Sequence, residues 1–244
     1  MKTQEKNFDG IKLSGFTAIL IMLALTGTAI YLLSLPQTPS IIAGVICGIC
    51  VVVMLPGFMI IQPNNSRVLT FFGRYAGTVI SNGFYWVNPL FLKSTVTLRI
   101  LNLNIDPIKV NDKVGNPIMI GAVVVWRIKD TYKASFDISG NIREFVQIQS
   151  DAALRQVAGM YAYDTNETID KVTLRSDESG EITQRLEDEL NSRLAIAGIE
   201  IVEARINYLA YASEIASVML RRQQADAIIS ARERIVEGAV SMVH

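Results

Sequence analysis

No charged residue lies between Leu13 and Ser66, and this silence constrains the chain more than any other feature it has. Crossing a bilayer core of about 30 Å takes roughly 20 apolar residues in a helix, so the stretch is too long for one crossing. Pro36-Gln37-Thr38-Pro39-Ser40 divides it, and Gly15–Leu35 and Ile41–Ile61 each have the required length. The expectation is a membrane hairpin over 13–61 (spans near 15–35 and 41–57), preceded by a leader at 1–12. Proline lacks an amide donor and stops or kinks a helix. Pro56-Gly57 therefore predicts regular helix to end near Leu55, with Phe58–Ile61 feeding directly into the polar domain.

Charge at the two ends sets the expected orientation. Lys2, Lys6 and Lys12 flank the entry, Arg67 and Arg74 flank the exit, and the Pro36–Ser40 loop carries no charge. Positive residues stay on the cytoplasmic side. The loop is then expected outside, with both termini and the polar domain cytoplasmic, as at a bacterial inner membrane. A shallow re-entrant hairpin fits the same uncharged loop. The first apolar run is longer than the core of a cleaved signal and a second span comes after it, so it reads as retained.

Composition narrows the function classes. With 23 Lys and Arg against 23 Asp and Glu, the formal net charge is zero. No basic face offers the phosphate neutralisation that nucleic-acid binding needs. The two cysteines, Cys47 and Cys50, form a C-x-x-C inside the second apolar run. A redox pair or half a metal site has that spacing. A thiolate is costly in hydrocarbon, however, and no second pair completes a zinc set, so packing of two small side chains is the simpler reading. His244, at the end, is the sole histidine, which leaves no Ser-His, Cys-His or metal constellation. No catalytic residue, metal ligand or cofactor is expected.

After the anchor the pattern is first β-like. Val68–Phe72, Gly77–Ile80 and Phe84–Trp86 are short runs separated by Gly73-Arg74-Tyr75 and Ser81-Asn82-Gly83, which predicts strands in a meander. Ser94–Asn104 alternates, with Val96, Leu98 and Ile100 on one face, and is expected to pair with Ile118–Ile128 across the turn-rich Asn111–Pro117. The period then changes to that of a helix. Asn141 with Glu144 resembles a capping pair ahead of the stripe Ile142, Val146, Ala153, Val157 and Met160. Asp164 and Glu167 repeat it before a short helix. Ile182, Leu186, Leu190 and Leu194 mark a longer helix stopped by Gly198, and Ile199–Ile206 returns to strand. From Leu209 to Glu237 there is neither Gly nor Pro, which predicts a long helix.

These segments in this order resemble the SPFH (band 7) family of stomatins, prohibitins, flotillins and HflK/HflC-type proteins. The carrying residues are Ile60–Arg74, Asn82-Gly83-Phe84-Tyr85-Trp86-Val87-Asn88-Pro89, Val123–Asp130, Asp151–Arg155 and Gly198–Ile206. The resemblance spans about Ile60 to Gln224 and implies an α+β chain. Its parts are the two-helix hairpin, an SPFH domain at 62–208 with antiparallel strands and packed helices, and the start of a long assembly helix at 209–244. Only the first turns of the family's charged coiled coil are present. By resemblance, the chain is a non-enzymatic scaffold that oligomerises with itself at a bilayer, organising lipids or regulating an enclosed membrane protease or channel. A non-assembling accessory subunit of one complex, or a membrane-tethered hydrolase, are the alternatives.

Candidate residues are chosen on chemistry. Phe84, Tyr85, Trp86 and Phe91 suit the membrane interface, where an aromatic body with a polar tip is favoured; an ordinary β-core explains them equally. Asp164 and Glu167 have the residue type for acid–base work, but capping accounts for them more simply. Ile215, Val218, Met219, Ile228, Ile229, Ile235 and Val236 are the apolar positions of the assembly helix, too irregular for a clean heptad. Its balanced charges suit a solvated face or helix pairing between subunits.

Overall fold

Leu13–Ser14 forms a short strand, β1, and the uncharged stretch then becomes two helices, α1 (Gly15–Ser34) and α2 (Thr38–Met54). A 3-10 turn at Leu55–Gly57 ends the second, and β2 (Phe58–Ile61) begins at once. The expected early stop at Pro56-Gly57 is therefore what the chain does. The connector is shorter than Pro36–Ser40, because Thr38, Pro39 and Ser40 form the first turn of α2. Proline is tolerated there, where its missing N–H has no intrahelical partner to lose. The chain was studied as a computed structural model, which describes residues 5–164, 172–176 and 180–241.

Beyond β2 come β3 (Asn65–Phe71), β4 (Arg74–Val79), β5 (Gly83–Trp86), β6 (Phe91–Thr97), β7 (Leu101–Asn111) and β8 (Pro117–Ile128). The helices α3 (Thr131–Phe136), α4 (Ile142–Ala158) and α5 (Glu181–Leu194) follow, then β9 (Ile199–Tyr211) and α6 (Ser213–Ser241). The chain divides into two compact units: Met1–Ile100 with Arg127–Ser139 and Ala197–Ile199, and Leu101–Trp126 with Gly140–Ile196 and Glu200–His244.

In the first unit, α1 and α2 pack on one another. Gly44 lies buried in their contact, where a Cβ would stand 2.8 Å from Leu33 Cγ and 3.2 Å from the carbonyl of Ala29. Small residues let two apolar helices approach closely. Their hydroxyls are satisfied within the helix: Thr17 donates to Ser14 O at 2.7 Å, Thr28 to Leu25 O at 2.9 Å and Ser34 to Tyr31 O at 2.7 Å. Away from that contact Phe16, Leu20, Leu23 and Ile30 on α1, and Ile42, Ile46, Ile49 and Val52 on α2, are exposed.

The expected meander is only partly present. β3 does pair with β4, but β5 leaves that sheet; the orders are β4-β3-β6 and β1-β5-β2. Local turn signals cannot reveal this, because β1 is separated from β5 by both helices and β2 by the β3–β4 pair. Met59, Ile61, Leu69, Val79 and Val87 form the core of this unit, with Phe8, Tyr85 and Phe91 packed against it. Ser94–Asn104 is likewise two strands. β6 ends at Thr97, and Leu98 donates its N–H to Asn64 O at 2.9 Å. β7 starts at Leu101 and pairs with β8, Leu101 opposite Trp126. Alternation runs through the break because it records side-chain direction, not which sheet the backbone joins.

The second unit sets the sheet β7-β8-β9 against α4 and α5. Ala212, just past β9, donates to Pro117 O at the head of β8, as antiparallel neighbours do. Ile182, Leu186, Leu190 and Leu194 are buried, as are Val146, Ala153, Leu154 and Val157. Met160 falls beyond α4 and is partly exposed. Asn141 caps α4 by accepting from Arg143 N at 2.9 Å, and Glu144 lies in the first turn. β9 runs through Tyr211, so the long helix starts at Ser213, later than the absence of Gly and Pro suggests. Neither absence forbids an extended backbone.

Candidate membrane anchor and assembly surfaces

β5 holds both ends of the apolar hairpin. On one side, Leu13 and Ser14 of β1 pair with Trp86 and Tyr85; on the other, Phe58, Met59, Ile60 and Ile61 of β2 pair with Trp86, Tyr85, Phe84 and Gly83. The strand entering α1 and the strand leaving α2 therefore share a single partner. No flexible linker separates the hairpin from the domain.

Each aromatic of β5 has a separate task. Phe84 stacks on Phe58 at 5.5 Å and meets Phe16 of α1 edge-on at 5.6 Å. It lies so close to Gly15 that a Cβ there would be 2.2 Å from its ring. Tyr85 donates its hydroxyl to Asn82 O at 3.1 Å, and the Lys12 ammonium sits 4.7 Å over its ring. Trp86 donates its indole N–H to Met54 O at 2.9 Å, satisfying one of the carbonyls that the end of α2 leaves open. All three side chains are half-buried. Phe91 belongs with the core instead, 5.4 Å from Phe8 and 5.2 Å from Phe71.

Two further residues of this junction carry no sequence signal of their own. Lys93 donates to the carbonyls of Pro56 and Phe58, so an ammonium also closes the end of α2. Burial, and secondarily the nearby Arg67 cation, push its pKa below the usual lysine range. Gly57 passes so close beneath Trp86 that a Cβ would lie 2.3 Å from the indole nitrogen and 2.7 Å from Val87 O. The Gly57 contact comes with the pairing of β2 and β5, and the Lys93 contact reaches from β6 in the other sheet; both are nonlocal.

On α6, Ile215 and Met219 are half-buried, whereas Val218, Ile228, Ile229, Ile235 and Val236 are exposed. Its start is tied down: Lys109 and Glu214 form an ion pair at 2.5 Å, and Gln223 donates to Asp164 at 3.2 Å. Asp164 also pairs with Arg175 at 3.0 Å. That carboxylate is engaged by a cation and an amide. Glu167, and the short helix expected after it, lie outside the described residues, as does His244.

A β-rich domain with packed helices, joined through one strand to both bases of an apolar helix pair, defines a membrane-associated α+β protein. The model of the SPFH domain / Band 7 family matches residues 59–239, and the chain belongs to that family, whose members are generally non-enzymatic scaffolds. No curated protein sequence matches the chain.

Proposed function

We propose that the chain is a membrane-anchored SPFH scaffold that assembles laterally with copies of itself into a ring or cage. The lipid bilayer and a homo-oligomer are its immediate partners, and an enclosed membrane protease or channel is its client. The exposed apolar row on α6 carries the assembly reading. Ile228 and Ile235 are one heptad apart, as are Ile229 and Val236, and Val218 lies eleven residues before Ile229. Such spacings return to one helix face, and an apolar face left in water favours a partner helix. Two different side faces on one domain make head-to-tail contacts, which close into rings when the rotation permits.

The anchor reading rests on the apolar surface of α1 and α2. Each exposed Leu, Ile or Phe would gain about 1.5–3 kcal/mol on leaving water, and lipid is the solvent that covers such a surface all round. At about 1.5 Å per residue, α1 and α2 with its 3-10 turn reach across a bilayer core. Lys6 and Lys12 before the hairpin and Arg67 and Arg74 after it in sequence favour a cytoplasmic domain in a bacterial inner membrane. Phe84, Tyr85 and Trp86 then lie at headgroup depth.

Electron microscopy and mass measurement of the full chain in mild detergent test the assembly. Large closed oligomers are expected, reduced to small species by Ile229→Asp with Val236→Asp. A homogeneous monomer, or a stoichiometric complex with one other protein, contradicts self-assembly and favours an accessory subunit. For topology, Thr38→Cys in a Cys47→Ala/Cys50→Ala background is expected to label from outside; labelling from the cytoplasm alone contradicts crossing.

A further inference from the structure

From Glu5 onward, the leader is part of the fold rather than a tail. β4 is the edge of its sheet, and Asn7 bridges to Thr78 on its open side as a parallel neighbour. Thr78 donates its N–H to Lys6 O at 2.8 Å, and Phe8 donates its own to Thr78 O at 3.1 Å. The Tyr75 hydroxyl lies 2.7 Å from Thr78 Oγ1 and 3.2 Å from Lys6 O. At one end of the segment, the Glu5 carboxylate accepts from Thr131 Oγ1 at 2.6 Å, and Thr131 in turn lies 3.0 Å from Thr78 Oγ1. Both threonines are almost wholly buried. An ionised carboxylate can only accept, so the order is fixed: Tyr75 donates to Thr78, Thr78 to Thr131, and Thr131 to Glu5. At the other end, the ring of Phe8 packs edge-on against Phe91 and on the core.

Gly77 makes this approach feasible. Its φ of +145° favours glycine, and a Cβ there would lie 2.7 Å from the Cα of Phe8. An open edge with a hydroxyl receptor for a carboxylate, a slot for an aromatic three residues later and a bare glycine between them is the layout of β-strand addition. Backbone bonds hold the segment there and the pockets choose it.

We infer that the edge of β4 is a recognition groove for an extended Glu-x-x-Phe segment, that the chain's own leader fills it in this state, and that the leader of a second copy is the ligand that replaces it in an assembly. The last step rests on the self-assembly proposed above. The groove engages the side chains of Glu5 and Phe8 and the backbone between them, and a neighbouring copy presents the same sequence. The bond set is the same in either case, so proximity decides between them, as in other exchanges of an identical element. Asp9–Lys12, with Gly10 at a bend, is the connector that would redirect the leader.

The test uses full-length chains in detergent and a labelled peptide of residues 1–10. Phe8→Asp leaves a chain whose own leader cannot seat. The peptide is expected to bind this variant at least tenfold more tightly than the wild type, and a Glu5→Gln peptide to bind more weakly. Equal binding to both chains overturns the groove. So does no binding to Phe8→Asp when its Thr78 amide has lost exchange protection and its β3 amides have kept theirs. For exchange between copies, Phe8→Asp chains are mixed with Gly77→Val chains, whose grooves are blocked and whose leaders are free. Return of Thr78 protection in the Phe8→Asp population supports the second copy as ligand. Failure to return, with the peptide still binding, overturns that occupant and leaves the groove standing. Mass measurement of the same samples shows separately whether the chain assembles.

Discussion

The indole N–H of Trp86 meets the carbonyl of Met54 at 2.9 Å, so the residue that ends α2 is closed by a side chain from the strand that also receives β1. Replacing Trp86 with Phe keeps most of the apolar contact and removes the donor. Loss of one such hydrogen bond costs about 0.5–1.5 kcal/mol. The denaturation midpoint in detergent is expected to fall accordingly, with faster amide exchange across Phe58–Ile61.

Gly57→Ala adds one methyl where the indole nitrogen and a backbone carbonyl already stand. Overpacking of this kind costs about 1–3 kcal/mol. Gly48→Ala is the comparison, since nothing lies within 4 Å of a Cβ there. The first variant should lose stability in thermal melts in detergent, and the second should match the wild type.

Asp151 on α4 has a buried carboxyl oxygen with no hydrogen-bond partner among the described residues. Burial pushes its pKa above the usual carboxylate range; Arg155 opposes this shift and Asp106 adds to it. The native state then holds the proton more tightly than the unfolded chain does, so stability falls as pH rises from the unfolded value near 3.8 through the raised native one. Asp151→Asn should raise the melting temperature at pH 7, and the gain should shrink as the pH approaches 4. An equal gain at both pH values contradicts the assignment.

How much of this was legible in the sequence depends on the reach of each contact. The early end of α2 was legible, because proline acts on its own helix. The stripe Ile182, Leu186, Leu190 and Leu194 was legible for the same local reason, but the helix ends at Leu194 and Gly198 comes only after a further 3-10 turn. The partners of β5 were not, since Leu13 and Phe58 are separated from Trp86 by a helix pair or by another sheet. The division between β6 and β7 was hidden by alternation that continues through Leu98 and Ile100. Phe8 gave no signal either: one aromatic among polar residues looks like a tail until the edge of β4 is in view. Of the candidate interface residues, Phe84, Tyr85 and Trp86 lie together at the hairpin base, and Phe91 lies with the core.

Gly198 follows α5 and a 3-10 turn at φ +68°, accepting the amides of Lys129 and Asp130 at 2.8 and 3.0 Å. A Cβ there would be 2.6 Å from Asp130 O. Asparagine often substitutes for glycine at such caps, but it shares the Cβ. Gly198→Ala and Gly198→Asn are therefore both expected to cost about 1–3 kcal/mol or more, read as a lower denaturation midpoint. Rescue by Asn would show that conformation alone, not the contact, sets the requirement.

The central claim is that β5 joins the SPFH domain to its anchor at headgroup depth. The chain has two tryptophans, and Trp126 is buried in the second unit, so Trp126→Phe leaves Trp86 as the only indole. In vesicles with bromine placed at graded depths along the acyl chains, Trp86 fluorescence should be quenched most by the shallowest bromines. Absence of quenching at every depth, or strongest quenching at the bilayer centre, would contradict the account.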